Sequence, residues 1–186
     1  GLNEISGIDG FVYPKAKTGQ DIYFIDKLLE TIEYEKKLEI GTFKLIPLIE
    51  TSSAVMNAQE ICTASSRVIA IAFGSEDFIS DLQGIHDEDS ESLFVPRSLI
   101  SMAARASSVI PIDTVHVRVH ELDDLERNLI LSKKLGFEGM LVLHPKELDL
   151  VHKYYSPSEE EISHAKEILR WKDELTKIYE KTTGQP

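Results

Sequence analysis

Cysteine is nearly absent from this chain of 186 residues, and long apolar runs are absent altogether. The single cysteine, Cys62, excludes an intrachain disulfide and fits the reducing cytoplasm, where we expect the protein to work. Cys62 lies on a predicted helix, where a buried structural thiol is the expected role. Since no apolar stretch reaches about 18 residues, no segment is predicted to span a membrane.

Positive charge is also scarce. The 20 lysines and arginines face 32 aspartates and glutamates, which gives a formal net charge of −12. A phosphate backbone or an anionic membrane surface requires a basic face, so neither nucleic acid nor membrane is an expected partner. The first ten residues carry two acidic residues and no basic one, unlike a secretory signal.

Hydrophobic residues make up 42% of the chain, enough for a substantial core. Strand-like and helix-like patterns alternate along it. The predicted strands cover residues 8–13, 43–49, 68–73, 112–119 and 138–143, and the predicted helices cover 20–38, 52–64, 95–108, 121–135, 145–153 and 158–180. This alternation predicts an α/β fold with a parallel sheet and right-handed crossovers. The repeat length favours a TIM-barrel-type (β/α) fold, incomplete because five strands are visible where a closed barrel has eight.

Two acidic residues at the ends of predicted strands are the most informative feature. Glu50 follows the apolar run 43–49, and Asp77 follows the run 68–73 after a short turn. Neighbouring parallel strands would place both carboxylates at the carboxyl edge of the sheet, where functional groups gather. A hard divalent cation such as Mg²⁺ would offset their repulsion. Simple capping of the following helices is the alternative.

Five sequence motifs occur in an order that is specific to one family. They cover Gly10–Lys15, Leu45–Thr51, Ala72–Asp77, Pro111–Val115 and Gly136–Pro145. Each resembles a signature of the citrate lyase β-subunit-like family, part of the HpcH/HpaI aldolase superfamily. The resemblance covers roughly residues 9–169.

The resemblance implies a Mg²⁺-dependent TIM-barrel lyase. In that family, citryl-, malyl- and citramalyl-CoA lyases break a carbon–carbon bond of a 3-hydroxyacyl thioester by retro-aldol or retro-Claisen chemistry. Glu50 and Asp77 match its two metal-ligand carboxylates. The implied partner is a thioester of CoA or of an acyl carrier.

Other polar side chains have a functional and a structural interpretation each. Lys15 ends the first predicted strand and could meet a thioester or phosphate, or be solvated. His144 ends the fifth and could face the substrate or make a structural hydrogen bond. Arg97 and Arg105 share a predicted helix and could contact CoA phosphates or form surface ion pairs.

Two further histidines and one acid are expected to be structural. His116 and His120 are four residues apart, a spacing that forms a metal pair on a helix. Because they fall on the fourth predicted strand and its end, we expect no metal role. Glu76, beside Asp77, is expected to cap the turn.

No segment of the printed sequence resembles the family's first three strands or its C-terminal lid, so we expect either part of a longer protein or a truncated relative. A relative that lost catalysis and serves as a scaffold is therefore an alternative to the lyase, as is a CoA-independent pyruvate-class aldolase. We expect residues 1–155 to form the partial barrel and residues 156–186 a helix and tail that pack on it. Exposed sheet edges also predict a homo-oligomer.

Overall fold

The computed structural model describes residues 7–85 and 91–183 of the chain. Its strands are β1 (Gly10–Tyr13), β2 (Lys44–Ile49), β3 (Ala70–Phe73), β4 (Ile110–Asp113) and β5 (Gly139–Met140). Its α-helices are α1 (Gly19–Lys36), α2 (Ser52–Met56), α3 (Ala58–Thr63), α4 (Ser75–Leu82), α5 (Phe94–Ala106), α6 (Leu122–Lys134), α7 (Leu148–Tyr155) and α8 (Glu159–Thr183). Short 3₁₀ helices at Glu91–Leu93 and Pro145–Glu147 lead into α5 and α7.

The five strands form one parallel sheet whose strand order is the order of the chain. Ile49 of β2 lies opposite Phe73 of β3, so these two strands end side by side. Asp113 of β4 is paired in the same way with Met140 of β5. The sequence-based prediction of an α/β fold with five parallel strands is confirmed.

The core lies between the sheet and its helices. On β2 the side chains of Leu45 and Ile49 are fully buried and Pro47 is buried between them, while Ile46 and Leu48 are partly exposed. Helix α1 buries Ile22 and Leu29 against this layer. Burial of each such side chain contributes roughly 1.5–3 kcal/mol. Cys62 of α3 is also buried, as expected, and burial raises the pKa of its thiol to about 11.

A buried ion-pair network joins α1 to the segment before β3. The guanidinium of Arg67 donates to both carboxylate oxygens of Glu33 at 2.6 Å and to Asp26 Oδ1 at 2.7 Å. Glu33 also accepts hydrogen bonds from the backbone N–H groups of Gly41 and Phe43. Burial alone would raise the pKa of Glu33, but Arg67 and these N–H groups lower it to about 2.

Several element boundaries differ from those predicted. The first helix ends at Lys36, where Lys37 adopts a left-handed conformation (φ 58°), two residues before the predicted end at residue 38. The region 52–64 forms two short helices, α2 and α3, rather than one. The side chain of Thr51 caps α2 by accepting a hydrogen bond from the N–H of Ala54.

The fourth strand also differs from the prediction. It covers Ile110–Asp113, earlier and shorter than the predicted 112–119. The apolar alternation that suggested a longer strand continues through Val115 and Val117, but these residues lie in the connection to α6.

Helix α8 follows the barrel-type region, and its residues 159–179, 181 and 182 are exposed. The division of the chain near residue 155, and the packing of the last helix on the barrel, remain predictions. Among residues 7–85 and 91–183, no helix combines the length and apolar character needed to cross a membrane.

Candidate functional site

Glu50 is the first residue after β2, and it is buried with 4% of its surface exposed. Its Oε1 accepts a hydrogen bond of 2.6 Å from the backbone N–H of Lys15, two residues beyond the end of β1. Lys15 has a left-handed backbone (φ 57°), which is uncommon outside glycine and indicates local strain. The strained turn after β1 therefore holds one oxygen of the Glu50 carboxylate.

Gly74 lies close against the side chain of Glu50. Its N–H donates to the carbonyl of Ile49 at 2.9 Å, which joins the ends of β2 and β3. A Cβ at this position would lie 2.9 Å from Glu50 Cβ and 3.0 Å from Glu50 Oε2. Any side chain at position 74 would therefore displace the carboxylate.

Asp77 lies in the first turn of α4, which begins two residues after β3. The sequence predicted a short turn and no helix here, but a helix begins at Ser75. A carboxylate in a first helical turn is favoured by the positive end of the helix dipole. Asp77 and its neighbour Glu76 are both exposed.

The fold thus places Glu50 and Asp77 after two paired strands, at the same edge of the sheet. Among the described residues, no group of three or more histidine, cysteine, aspartate or glutamate side chains is placed to hold a metal ion. Two carboxylates suit Mg²⁺, because this ion keeps several water ligands and is commonly bound through one or two protein carboxylates. The donor set at this edge fits such an ion.

Lys15 and His144 follow β1 and β5, the two outer strands of the sheet. The side chain of Lys15 is exposed. His144 is half-buried at the start of the 3₁₀ helix after β5, where its Nδ1 accepts a hydrogen bond from the N–H of Lys146. Its own N–H donates to Glu147 Oε2, so the structural hydrogen bonding considered for His144 is present.

The two arginines of α5 have different environments. Arg97 is 2% exposed and its guanidinium pairs with the buried carboxylate of Asp113 on β4. Neither a CoA-phosphate contact nor a surface ion pair fits that position, so both interpretations of Arg97 were wrong. Arg105 is exposed and pairs with Glu138, as the ion-pair interpretation predicts.

His116 and His120 lie in the connection between β4 and α6 and not on a strand. His116 is buried, and its Nδ1 lies 3.9 Å from Asp124 Oδ2. His120 is exposed, and its ring lies 6.1 Å from that of His144.

Sequence analysis missed two buried acids near the same edge. Asp113 was read only as part of a motif, although it ends β4 and neutralises Arg97. Glu147 is 1% exposed, and its Oε1 has no hydrogen-bond partner among the described residues. Its position three residues after His144 is the capping-box spacing, which is the signal that could have found it.

Comparison with known proteins places the chain in a family. A family model described as HpcH/HpaI aldolase/citrate lyase matches residues 5–145, about three quarters of the chain. The chain belongs to the HpcH/HpaI aldolase/citrate lyase family. The resemblance expected from the five motifs is therefore confirmed.

Relatives in this family are named as lyases. The citrate lyase subunit beta of Leuconostoc mesenteroides subsp. cremoris is 32% identical, over 88% of this chain and 54% of its own length. The mitochondrial citramalyl-CoA lyase of Rattus norvegicus is 27% identical, over 84% of this chain and 48% of its own length. The chain spans about half the length of these curated relatives.

Solved structures share the fold. The protein CitE from Mycobacterium tuberculosis, in complex with magnesium, acetoacetate and coenzyme A, superimposes with a TM-score of 0.66 at 24% identity. The match covers 89% of this chain and 58% of that one. Likeness to citrate lyase β-subunit structures confirms the TIM-barrel-type assignment for the five described strands.

Proposed function

We propose that the protein is a Mg²⁺-dependent carbon–carbon lyase that cleaves a 3-hydroxyacyl thioester of the citryl-, malyl- or citramalyl-CoA type. The observation that carries this proposal is the buried carboxylate of Glu50, fixed at the carboxyl edge of the sheet beside the strand that leads to Asp77. The names of the relatives and the magnesium in the CitE complex support it.

We assign the ion to Glu50 and Asp77. When bound, Mg²⁺ supplies Lewis-acid stabilisation of charge that develops on the keto-acid oxygens. The N–H of Lys15 orients the Glu50 carboxylate in advance, so no reorganisation is needed when a ligand arrives. Asp77 contributes the second carboxylate from the start of α4.

The reaction converts one 3-hydroxyacyl thioester into a keto acid and a shorter acyl thioester. The hydroxyl loses its proton, the carbon–carbon bond breaks, and the electron pair passes to the thioester as an enolate that then takes up a proton. The chain's part in this sequence is to bind and orient the substrate around the Glu50 carboxylate.

Lys15 and His144 are proposed substrate contacts. Lys15, whose backbone N–H contacts Glu50, has an exposed side chain that offers a positive charge for an anionic part of the substrate. Since Nδ1 of His144 accepts from the N–H of Lys146, Nε2 is the ring nitrogen left for the substrate. The buried, reduced Cys62 agrees with a cytoplasmic site of action.

An assay of the full gene product tests the proposal. With malyl-CoA or citramalyl-CoA as substrate, the released acyl thioester and keto acid are measured together. Asp77→Ala should lower turnover by roughly 10²-fold or more, because a metal ligand supplies several kcal/mol of transition-state stabilisation. Glu35→Gln, which removes an exposed carboxylate from α1, is the matched control and should leave turnover unchanged.

Other outcomes point to the two alternatives. Full activity in EDTA would contradict the mechanism. Cleavage of a hydroxy-keto acid without CoA would identify a pyruvate-class aldolase. Metal binding without activity on any thioester or hydroxy-keto acid would favour the scaffold.

A further inference from the structure

A cavity of about 240 Å³ lies beside the candidate metal site but does not include it. It is bounded by the starts of α4 and α5, the connection after β4, the first two turns of α6 and Met140 of β5. Neither Glu50 nor Asp77 lines it. Since a water molecule occupies about 30 Å³ of liquid, the volume suits a small organic molecule.

The cavity wall contains a histidine with an unsatisfied nitrogen. His116 is 7% exposed, and its Nε2 has no hydrogen-bond partner within the described part of the chain. Buried polar atoms without partners are rare in folded proteins, and each one calls for an explanation such as a ligand or a water molecule. The surroundings of this imidazole show which kind of group it would accept.

His116 lies close to a fixed carboxylate. Asp124 Oδ2 is 3.9 Å from Nδ1 of the ring, and among the described residues Nε2 is the nitrogen without a partner. A group that can both donate and accept a hydrogen bond, such as a hydroxyl, would satisfy Nε2. Asp124 is itself fixed by ion pairs with Arg118 and Arg127.

The opposite wall is also polar and fixed. The hydroxyl of Thr114 donates to Ser75 Oγ at 2.6 Å, and the N–H of Ser75 donates to Thr114 Oγ1 at 3.2 Å. These bonds join the start of α4 to the end of β4. The rest of the lining combines apolar side chains, including Ile79 and Leu93, with the polar side chains of Glu76, Arg97 and Asn128.

We propose that this cavity is a second, metal-independent site for a short-chain hydroxy acid. The ligand hydroxyl is hydrogen-bonded to His116 Nε2, and its hydrocarbon part lies against Ile79 and Leu93. The carboxylate lies toward Arg118, whose partly exposed guanidinium also lines the cavity. A hydroxyl suits Nε2 because it can donate or accept a hydrogen bond, and a carboxylate is favoured because guanidinium groups bind carboxylates well.

Calorimetric titration with 3-hydroxybutyrate and with butyrate, both in EDTA, tests the proposal. The two acids differ only in the hydroxyl. We expect 3-hydroxybutyrate to bind about tenfold more tightly, a difference typical of one buried hydrogen bond. His116→Phe should abolish the difference, and the control His120→Gln, an exposed histidine outside the cavity, should retain it.

A second variant tests the same site in case His116→Phe does not fold. Val117 is half exposed and lines the cavity, so Val117→Trp adds bulk there without disturbing the core. Loss of 3-hydroxybutyrate binding with an unchanged melting temperature supports the site. Equal binding of both acids, retention of binding in Val117→Trp, or loss of binding in Glu50→Gln would overturn it. Loss of binding in Glu50→Gln would place the ligand at the metal edge. The binding test does not depend on whether the protein has lyase activity.

Discussion

At the residue scale, the position of Glu50 depends on two neighbours whose side chains take no part. The amide of Lys15 holds one carboxylate oxygen, and the missing side chain of Gly74 leaves room for the other. The two apolar strand patterns, each followed by a carboxylate, were enough to predict that Glu50 and Asp77 lie at the same edge of the sheet. They could not predict the Lys15 contact, because a left-handed backbone at a lysine has no sequence signal.

Substitution of Gly74 tests this arrangement without removing a ligand. In Gly74→Ala the new Cβ would lie 2.9 Å from Glu50 Cβ, so the carboxylate must shift. We expect Mg²⁺ affinity to fall by about tenfold, as for other changes to groups that orient metal ligands. Gly84→Ala is the control, because its Cβ would make only ordinary contacts of 3.5 Å or more. Equal affinity in both variants would mean that Gly74 has no such role.

Arg97 shows where residue-level prediction failed. Its sequence neighbours predicted a helix correctly, but its partner Asp113 lies on a strand sixteen positions away. Burial of a charge depends on such long-range pairing, which no local pattern encodes.

At the element scale, α1 is anchored by charge as well as by apolar packing. Arg67→Met removes the ion pairs of the guanidinium with Glu33 and Asp26, and it leaves the fully buried Glu33 carboxylate without its cation. We expect a loss of about 3–5 kcal/mol in the free energy of unfolding, measured by urea denaturation. The double variant Glu33→Gln/Arg67→Met should recover part of that loss. A single variant as stable as wild type would contradict the anchoring role.

The same network predicts how stability depends on pH. The pKa of Glu33 is lowered from the model-compound value of 4.5 to about 2 in the folded protein. The unfolded state therefore takes up a proton first on acidification. The contribution of Glu33 to stability is complete above about pH 4.5 and is lost as the pH falls towards 2. Urea unfolding at pH 6, 4 and 3 should show that the free energy of unfolding falls less with decreasing pH in Glu33→Gln than in the wild type. The same pH dependence in both proteins would exclude this role of Glu33.

Most strands and the longer helices were predicted closely, including the short strands β1 and β3, whereas α4 and β4 were not. Helix α1 and strand β2 were found within two residues at each end. Helix α4 was missed because its apolar positions are few and the sequence before it reads as a turn. Strand β4 was displaced because the apolar alternation continues past Asp113, where pairing with β5 stops.

At the scale of the whole molecule, the five parallel strands form part of a barrel-type sheet, with β1 and β5 at its two edges. Helix α8 exposes a row of large apolar side chains with helical spacing, namely Ile168, Trp171, Leu175 and Ile178. Homo-oligomer formation, predicted from the open sheet edges, remains a prediction. The family and the fold class could be recognised from ordered motifs, but the substrate could not, because the chain spans about half the length of its relatives.

The central claim is that Glu50 and Asp77 bind a divalent cation at the carboxyl edge of β2 and β3. Calorimetric titration of Mg²⁺ into the wild type, Glu50→Gln and Asp77→Asn tests it most directly, with Glu35→Gln as the surface control. We predict one site in the wild type and in the control. Affinity should be at least about tenfold weaker in each of the other variants, since each loses a charged ligand. Equal affinity in all four proteins would contradict the assignment.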